Sequence, residues 1–149
     1  MKVVLQRVSH ANVNVDGNIT GQIEQGYLAL VGITESDTKE IVEKIANKVI
    51  GLRVFSDEEG KMNLSIEDVE GSILSVSQFT LYADCKKGRR PSFIQAAKGE
   101  QATSLYDYFN EYIRNKGMKV ETGIFGANMK VELLNDGPVT IILDSNEIL

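Results

Sequence analysis

The sequence predicts an α/β fold: a compact layered domain of about eight or nine mostly antiparallel strands with two main helices. Three observations carry that prediction. Apolar and polar residues alternate with period two around an Asp-Gly turn near the start of the chain. Two longer segments instead place their apolar residues at helical spacing. Short apolar runs bounded by turn residues separate and follow them, too short for helices and suited to buried strands.

Taken in order, Val3, Val4, Leu5 and Val8 begin a first strand, and Ala11, Val13 and Val15 alternate with Asn12, Asn14 and Asp16 in a second. Asp16-Gly17-Asn18 is a hairpin signal, because Asp-Gly accepts the positive φ that tight hairpin turns require, and Ile19–Ile23 is the return strand. Tyr27–Ile33 reads as a fully buried strand. Ser36–Glu40 marks a helix start, with Asp37 and Glu40 spaced as a variant of the capping box. Ile41, Val42, Ile45, Ala46, Val49 and Ile50 then form one apolar stripe. Leu52–Phe55 resumes a strand, Asp57–Gly60 is a turn, and Ile73–Phe79 is another strand.

A polar, basic loop spans Ala83–Pro91. The second helix covers about Glu100–Lys116, burying Ala102, Leu105, Tyr106, Phe109, Tyr112 and Ile113, with Gly117 placed to cap it. Strands near Met129–Leu134 and Val139–Leu143 close the fold around an Asn135–Pro138 turn. No repeat, low-complexity tract or linker interrupts the 149 residues, so a single domain over 1–149 is expected. No apolar run approaches the roughly 20 residues of a bilayer span, and no secretory signal is expected. With one cysteine, Cys85, an intramolecular disulfide is impossible. A cytoplasmic location is the simplest expectation. The formal charge of −5 argues against broad, nonspecific nucleic-acid binding but leaves room for a local basic patch.

Few residues offer chemistry. His10 is the only histidine and sits in an alternating strand, where a strand-edge imidazole is expected rather than a catalytic base. No cluster has metal-ligand spacing, and Gly-rich phosphate loops are absent. A hydrolase built from this chain would rely on backbone donors and on groups of its substrate. Three segments stand out. Ser77-Gln78-Phe79-Thr80 ends an apolar strand in hydroxyls and an amide, either a polar strand edge or a site. Lys86, Lys87, Arg89 and Arg90 place four cations within five residues, either a solvated loop or a hold on RNA phosphates. Asn135–Thr140 reads as a tight turn between strands.

Together these segments resemble the D-aminoacyl-tRNA deacylase family. Ser77-Gln78-Phe79-Thr80-Leu81 looks like its first signature and Asn135-Asp136-Gly137-Pro138-Val139-Thr140 like its second, the Gly-cisPro motif. Gly88–Phe93, Phe125–Met129, Gln6-Arg7-Val8 and Lys61–Leu64 are family-like too, and the resemblance runs from Met1 to about Asp144. It implies a hydrolase of the carboxylic ester joining a D-amino acid to tRNA, acting as a homodimer on the terminal aminoacyl-adenosine, without cofactor or metal. It implies a pocket floored by Ser77, Gln78, Phe79 and Thr80, with backbone N–H groups near Phe79 and Thr80 holding the oxyanion while the substrate's 2′-hydroxyl helps to activate water. Gly137 and Pro138, joined by a cis bond and braced by Arg7, would enter the partner's pocket and exclude L-side chains, with Met129 among the substrate-binding residues. Glycyl-tRNA(Ala), whose amino acid has no side chain to exclude, would also be a substrate. The basic residues at 86, 87, 89 and 90 would then touch tRNA. Competing readings are a DNA-binding relative, usually with a C-terminal tail not expected past Leu149, and a structural dimer without activity.

Overall fold

The computed structural model describes residues 1–149. Its centre is one long strand, β1 (Lys2–Val15), which pairs along both edges. One edge meets β3 (Gly26–Gly32) from Lys2 to Val8 and β2 (Asn18–Ile23) from Ala11 to Val15, both antiparallel. The other edge meets β8 (Lys130–Asp144), also antiparallel, from Lys2 to Asn14. Beyond β3 the sheet continues in parallel through β6 (Ser72–Ser77) and β7 (Lys119–Thr122). β4 (Phe55–Ser56) and β5 (Met62–Leu64) form a separate two-stranded arm. Helices α1 (Lys39–Gly51) and α2 (Gly99–Asn115) cover the sheet, and a short α3 (Ser145–Ile148) follows β8. No helix is long and apolar enough to cross a membrane.

Two expected strands at the start are therefore one. Val8 pairs with Asn135 and His10 with Leu134, so Ser9 is an extra residue on β1. Such a bulge shifts the alternation by one position. Val3 and Leu5 point to the helices, whereas Val8, Ala11 and Val13 pack into a second cluster with Ile23, Leu28, Leu74 and Val76. The phase change imitates a strand boundary.

The expected pair of strands at the end is also one. Both halves of β8 run the same way along β1, and Gln6 faces Thr140 while Val8 faces Asn135. Asp136–Val139 therefore bulge out opposite the single residue Arg7, where a turn between strands was expected. A local Asn-Asp-Gly-Pro signal does not distinguish a hairpin from a bulge, because the difference lies in which strand is paired.

Other elements shift for local reasons. The cap of α1 is Thr38, whose hydroxyl accepts from the Ile41 N–H at 3.3 Å, rather than Asp37. Asp37 is engaged by the Met1 ammonium at 2.6 Å and by the Thr34 N–H at 2.8 Å. Gly117 follows α2 with φ of +92° and donates to Arg114, as expected. Leu52–Phe55 contributes only Phe55 to a strand, and β5 lies within the family-like Lys61–Leu64 segment. β7 was not anticipated. Phe79 leaves β6 for a 3₁₀ turn, Phe79–Tyr82. The main core joins the helices to the sheet through Ile45, Val49, Leu105, Phe109 and Ile113 against Val3, Leu5, Tyr27 and Ile73.

Candidate active site

The parallel part of the sheet frays where the first conspicuous segment begins. β7 accompanies β6 only as far as the Ser75–Thr122 pair, while β3 stays with it to Ser77. The Gln78 N–H makes the last sheet bond, to Val31 O at 2.8 Å. The chain then winds into its 3₁₀ turn, closed by bonds from Leu81 N to Gln78 O and from Ala83 N to Thr80 O. The first N–H groups of a helical turn have no partner within it. Phe79 and Thr80 hold those positions.

The gap left by β7 is a cleft of about 320 Å³. Its floor is Val76, Ser77, Gln78, Phe79 and Thr80. Ala97, Ala102 and Tyr106 form one wall, and the loop Phe125–Met129 with Val131 forms the other. No carboxylate, imidazole, thiol or cation lines it. Gln78 Nε2 donates to Thr80 Oγ1 at 3.0 Å, so no base stands against the Thr80 hydroxyl as a covalent mechanism would need. The chemistry the cleft offers is backbone N–H donation beside apolar walls, a setting suited to an oxyanion formed from a neutral carbonyl.

Tyr106 is the one side chain of the cleft that titrates, and burial raises its hydroxyl above the usual phenol range against smaller opposing effects of Ser75 and Asn110. It donates to the Ser75 carbonyl at 2.8 Å. His10 lies on β1 opposite Leu134, exposed and outside the cleft.

The second segment lies apart from its own chain's cleft. Gly137 and Pro138 are exposed at the crest of the β8 bulge, and the bond between them is cis, as the resemblance implied. Arg7 supports the bulge from the strand beneath. Its Nε donates to Asp136 O at 3.1 Å and its Nη1 to Val54 O at 2.7 Å. Asn135 closes the bulge, accepting from the Val139 N–H at 3.2 Å and donating to Thr140 Oγ1 at 3.3 Å. Gly137 has φ of +129°, and a Cβ there would lie 2.8 Å from a Val139 methyl and 3.0 Å from Arg7 Nη2.

The third segment forms a hairpin-like loop. Asp84 and Ser92 exchange backbone bonds of 2.7 and 2.9 Å, leaving Lys86, Lys87, Arg89 and Arg90 exposed beyond them. None of the four forms an ion pair. Phe93 returns the loop to the cleft, edge-on to Phe79 with ring centres 5.1 Å apart.

The fold thus brings Ser77, Gln78, Phe79, Thr80 and Met129 into one cleft, ties the basic loop to it through the Phe93–Phe79 contact, and puts Arg7, Gly137 and Pro138 on a separate crest. Sequence reasoning did not single out Tyr106, Ala102, Ala97 or Phe93 for a site. Ala102 and Tyr106 lie on the apolar stripe of α2, and periodicity cannot separate a helix residue facing a cleft from one facing the core.

Comparisons with known proteins agree over nearly the whole chain. A family model described as D-Tyr-tRNA(Tyr) deacylase matches residues 4–144. A protein of Exiguobacterium sibiricum named D-aminoacyl-tRNA deacylase is 61% identical over 144 residues, 97% of this chain and 99% of that one. One of the same name from a Geobacillus species is 58% identical over 147 residues, covering 99% and 97%. The solved c-Myc DNA Unwinding Element Binding Protein superposes with a TM-score of 0.90 at 43% identity, over 97% of this chain and 98% of its own. A probable eukaryotic D-amino acid tRNA deacylase superposes with a TM-score of 0.82 at 20% identity, over 95% and 97%, a likeness of fold.

Proposed function

Because the chain belongs to the D-Tyr-tRNA(Tyr) deacylase family, we propose that it hydrolyses the ester linking a D-amino acid to the 3′ end of tRNA. The observation that carries this reading is the cleft floored by Ser77–Thr80, which pairs backbone donors with a complete lack of acidic, basic or thiol side chains. Water adds to the ester carbonyl, the N–H groups of Phe79 and Thr80 hold the resulting oxyanion, and the carbonyl carbon–ribose oxygen bond breaks. The ribose hydroxyl recovers its proton, and the products are free tRNA and the D-amino acid. With no protein base in reach, the neighbouring 2′-hydroxyl of the substrate orients and activates the water. A tRNA substrate puts the reaction in the cytoplasm.

The decisive assay compares D-tyrosyl-, L-tyrosyl- and glycyl-tRNA with wild type and Thr80→Ala. D-tyrosyl-tRNA is expected to be cleaved, glycyl-tRNA(Ala) cleaved as well, and L-tyrosyl-tRNA spared. Thr80→Ala keeps its backbone N–H and should retain turnover within about tenfold, whereas a true nucleophile would lose several orders of magnitude. Failure of the wild type to release D-tyrosine would refute the assignment.

In this reading the site is shared between two subunits. The outer edge of β8 has no strand beside it, and Leu134 and Ile142 stand 54% and 68% exposed along it, flanking the Gly137–Pro138 crest. An apolar, unpaired edge of this kind is a place for another chain. A second copy there would bring its crest toward the Ser77–Thr80 cleft, where the Gly137 and Pro138 carbonyls obstruct an L-side chain and leave a D-side chain free. Sedimentation at micromolar concentration should then give about twice the 16.4 kDa chain mass. An active monomer would rule out a shared site.

The basic loop is read as the contact for tRNA phosphates next to the terminal adenosine. Reversing charge at Lys86, Lys87, Arg89 and Arg90 should weaken tRNA binding and flatten its dependence on salt. Each lost contact with a single strand lowers the log–log slope by about 0.7. An unchanged slope would return the loop to plain solvated surface. The likeness to a DNA-binding relative makes single-stranded DNA the natural competitor in that measurement.

A further inference from the structure

We propose that Tyr106 is a positioning residue for the reaction, holding the Ser77–Thr80 segment in register through the carbonyl of Ser75. The proposal deepens the deacylase reading and rests on it. β6 is the strand that carries this segment, and its two neighbours release it at different points. β3 holds it to Ser77 and then, through Val31 O, to Gln78. β7 stops at the Ser75–Thr122 pair, and the space beyond becomes the cleft. A strand that loses a neighbour inside a protein must find other partners for its polar groups or leave them costly and loose.

Tyr106 supplies a partner at that point. The residue is 4% exposed, and its hydroxyl reaches from α2 to the Ser75 carbonyl at 2.8 Å, only two residues before Ser77. Around this bond the Ser75 hydroxyl and the Asn110 amide oxygen are buried without protein partners. The ring also lines the cleft and packs at 5.8 Å from Phe125 on the opposite wall. Tyr106 therefore ties the floor to both walls. The Phe79 and Thr80 N–H groups follow four and five residues further along the same segment, and a displacement of them by a fraction of an ångström would weaken their hold on the oxyanion more than substrate binding.

The test is Tyr106→Phe, which keeps the ring against Phe125 and removes only the donor. Tyr108→Phe, also on α2, is the control, losing a hydroxyl bond to Glu43 of α1 away from the cleft. With D-tyrosyl-tRNA, Tyr106→Phe is expected to lower kcat about tenfold or more with KM within about threefold of wild type. Amide exchange at Gln78 and Leu81, both hydrogen-bonded in the native fold, should quicken relative to β3. Tyr108→Phe should leave both readouts unchanged. Wild-type kcat in Tyr106→Phe, or a lower thermal midpoint with kcat and local exchange unaltered, would overturn the proposal. Should the wild type itself leave D-tyrosyl-tRNA intact, the deacylase reading falls, and the exchange at Gln78 and Leu81 still decides whether Tyr106 holds the segment.

Discussion

Gly137→Ala is expected to lower turnover of D-aminoacyl-tRNA about 100-fold while the subunit stays folded. The residue sits at φ of +129°, a conformation that side-chain-bearing residues rarely adopt. The added Cβ would meet the Val139 methyl at 2.8 Å, Arg7 Nη2 at 3.0 Å and the Val139 nitrogen at 3.1 Å. All three atoms belong to the bulge itself or to its brace, so the crest must move. It is exposed, and it can move outward without opening the core. Under the proposed shared site, the cost falls on whatever the crest touches in a second copy. Arg7→Ala attacks the same support from below by deleting the bonds to Asp136 and Val54. Its expected signature differs: a looser crest, with hydrolysis of L-tyrosyl-tRNA rising while D-tyrosyl-tRNA is still cleaved. Rates of D-tyrosine release from Gly137→Ala equal to wild type, or an Arg7→Ala enzyme that rejects L-tyrosyl-tRNA as fully as wild type, would remove the crest from the site.

The largest expected effect on stability belongs to Asp37. Its side chain is 1% exposed and pairs at 2.6 Å with the Met1 ammonium, itself fully buried. Asp37→Ala would leave that ammonium with the Ser145 hydroxyl at 2.8 Å as its remaining partner, and would also free the Thr34 N–H. Breaking a buried pair from one side costs about 3–5 kcal/mol, because the surviving charge has neither water nor counter-charge. For a domain of this size that corresponds to a fall of roughly 10 °C in Tm. Acetylating the Met1 nitrogen should act in the same direction, since it removes the charge from the other side. Calorimetry would check both. A Tm within about 2 °C of wild type would mean the pair is solvated in practice. Asp37 does not itself line the cleft, so activity well below the transition should be largely preserved.

The two long helices, the Asp16-Gly17 hairpin and the buried strands were legible in the sequence because each depends on neighbours a few residues away. A stripe at helical period needs only one apolar face to bury, and a tight turn needs only residues that accept its backbone angles. Ser77–Thr80 and Gly137-Pro138 were legible as unusual segments, and the resemblance of several motifs in order linked them to a family. Continuity of β1 and β8 was not legible. The bulge at Ser9 changes the phase of alternation, and the Asp136–Val139 bulge carries the same residues a hairpin would. Both are decided by pairing between strands more than a hundred residues apart. The same holds for the contacts that shape the site. Arg7 meets Asp136 across 129 positions, Tyr106 meets Ser75 across 31, and Met1 meets Asp37 across 36. In one dimension Tyr106 is another apolar residue of α2 and Asp37 another helix cap. Only when the sheet closes does β7 end short of Ser77, opening the cleft that gives Tyr106 its place, because a strand's unpaired edge exists only relative to the strands beside it.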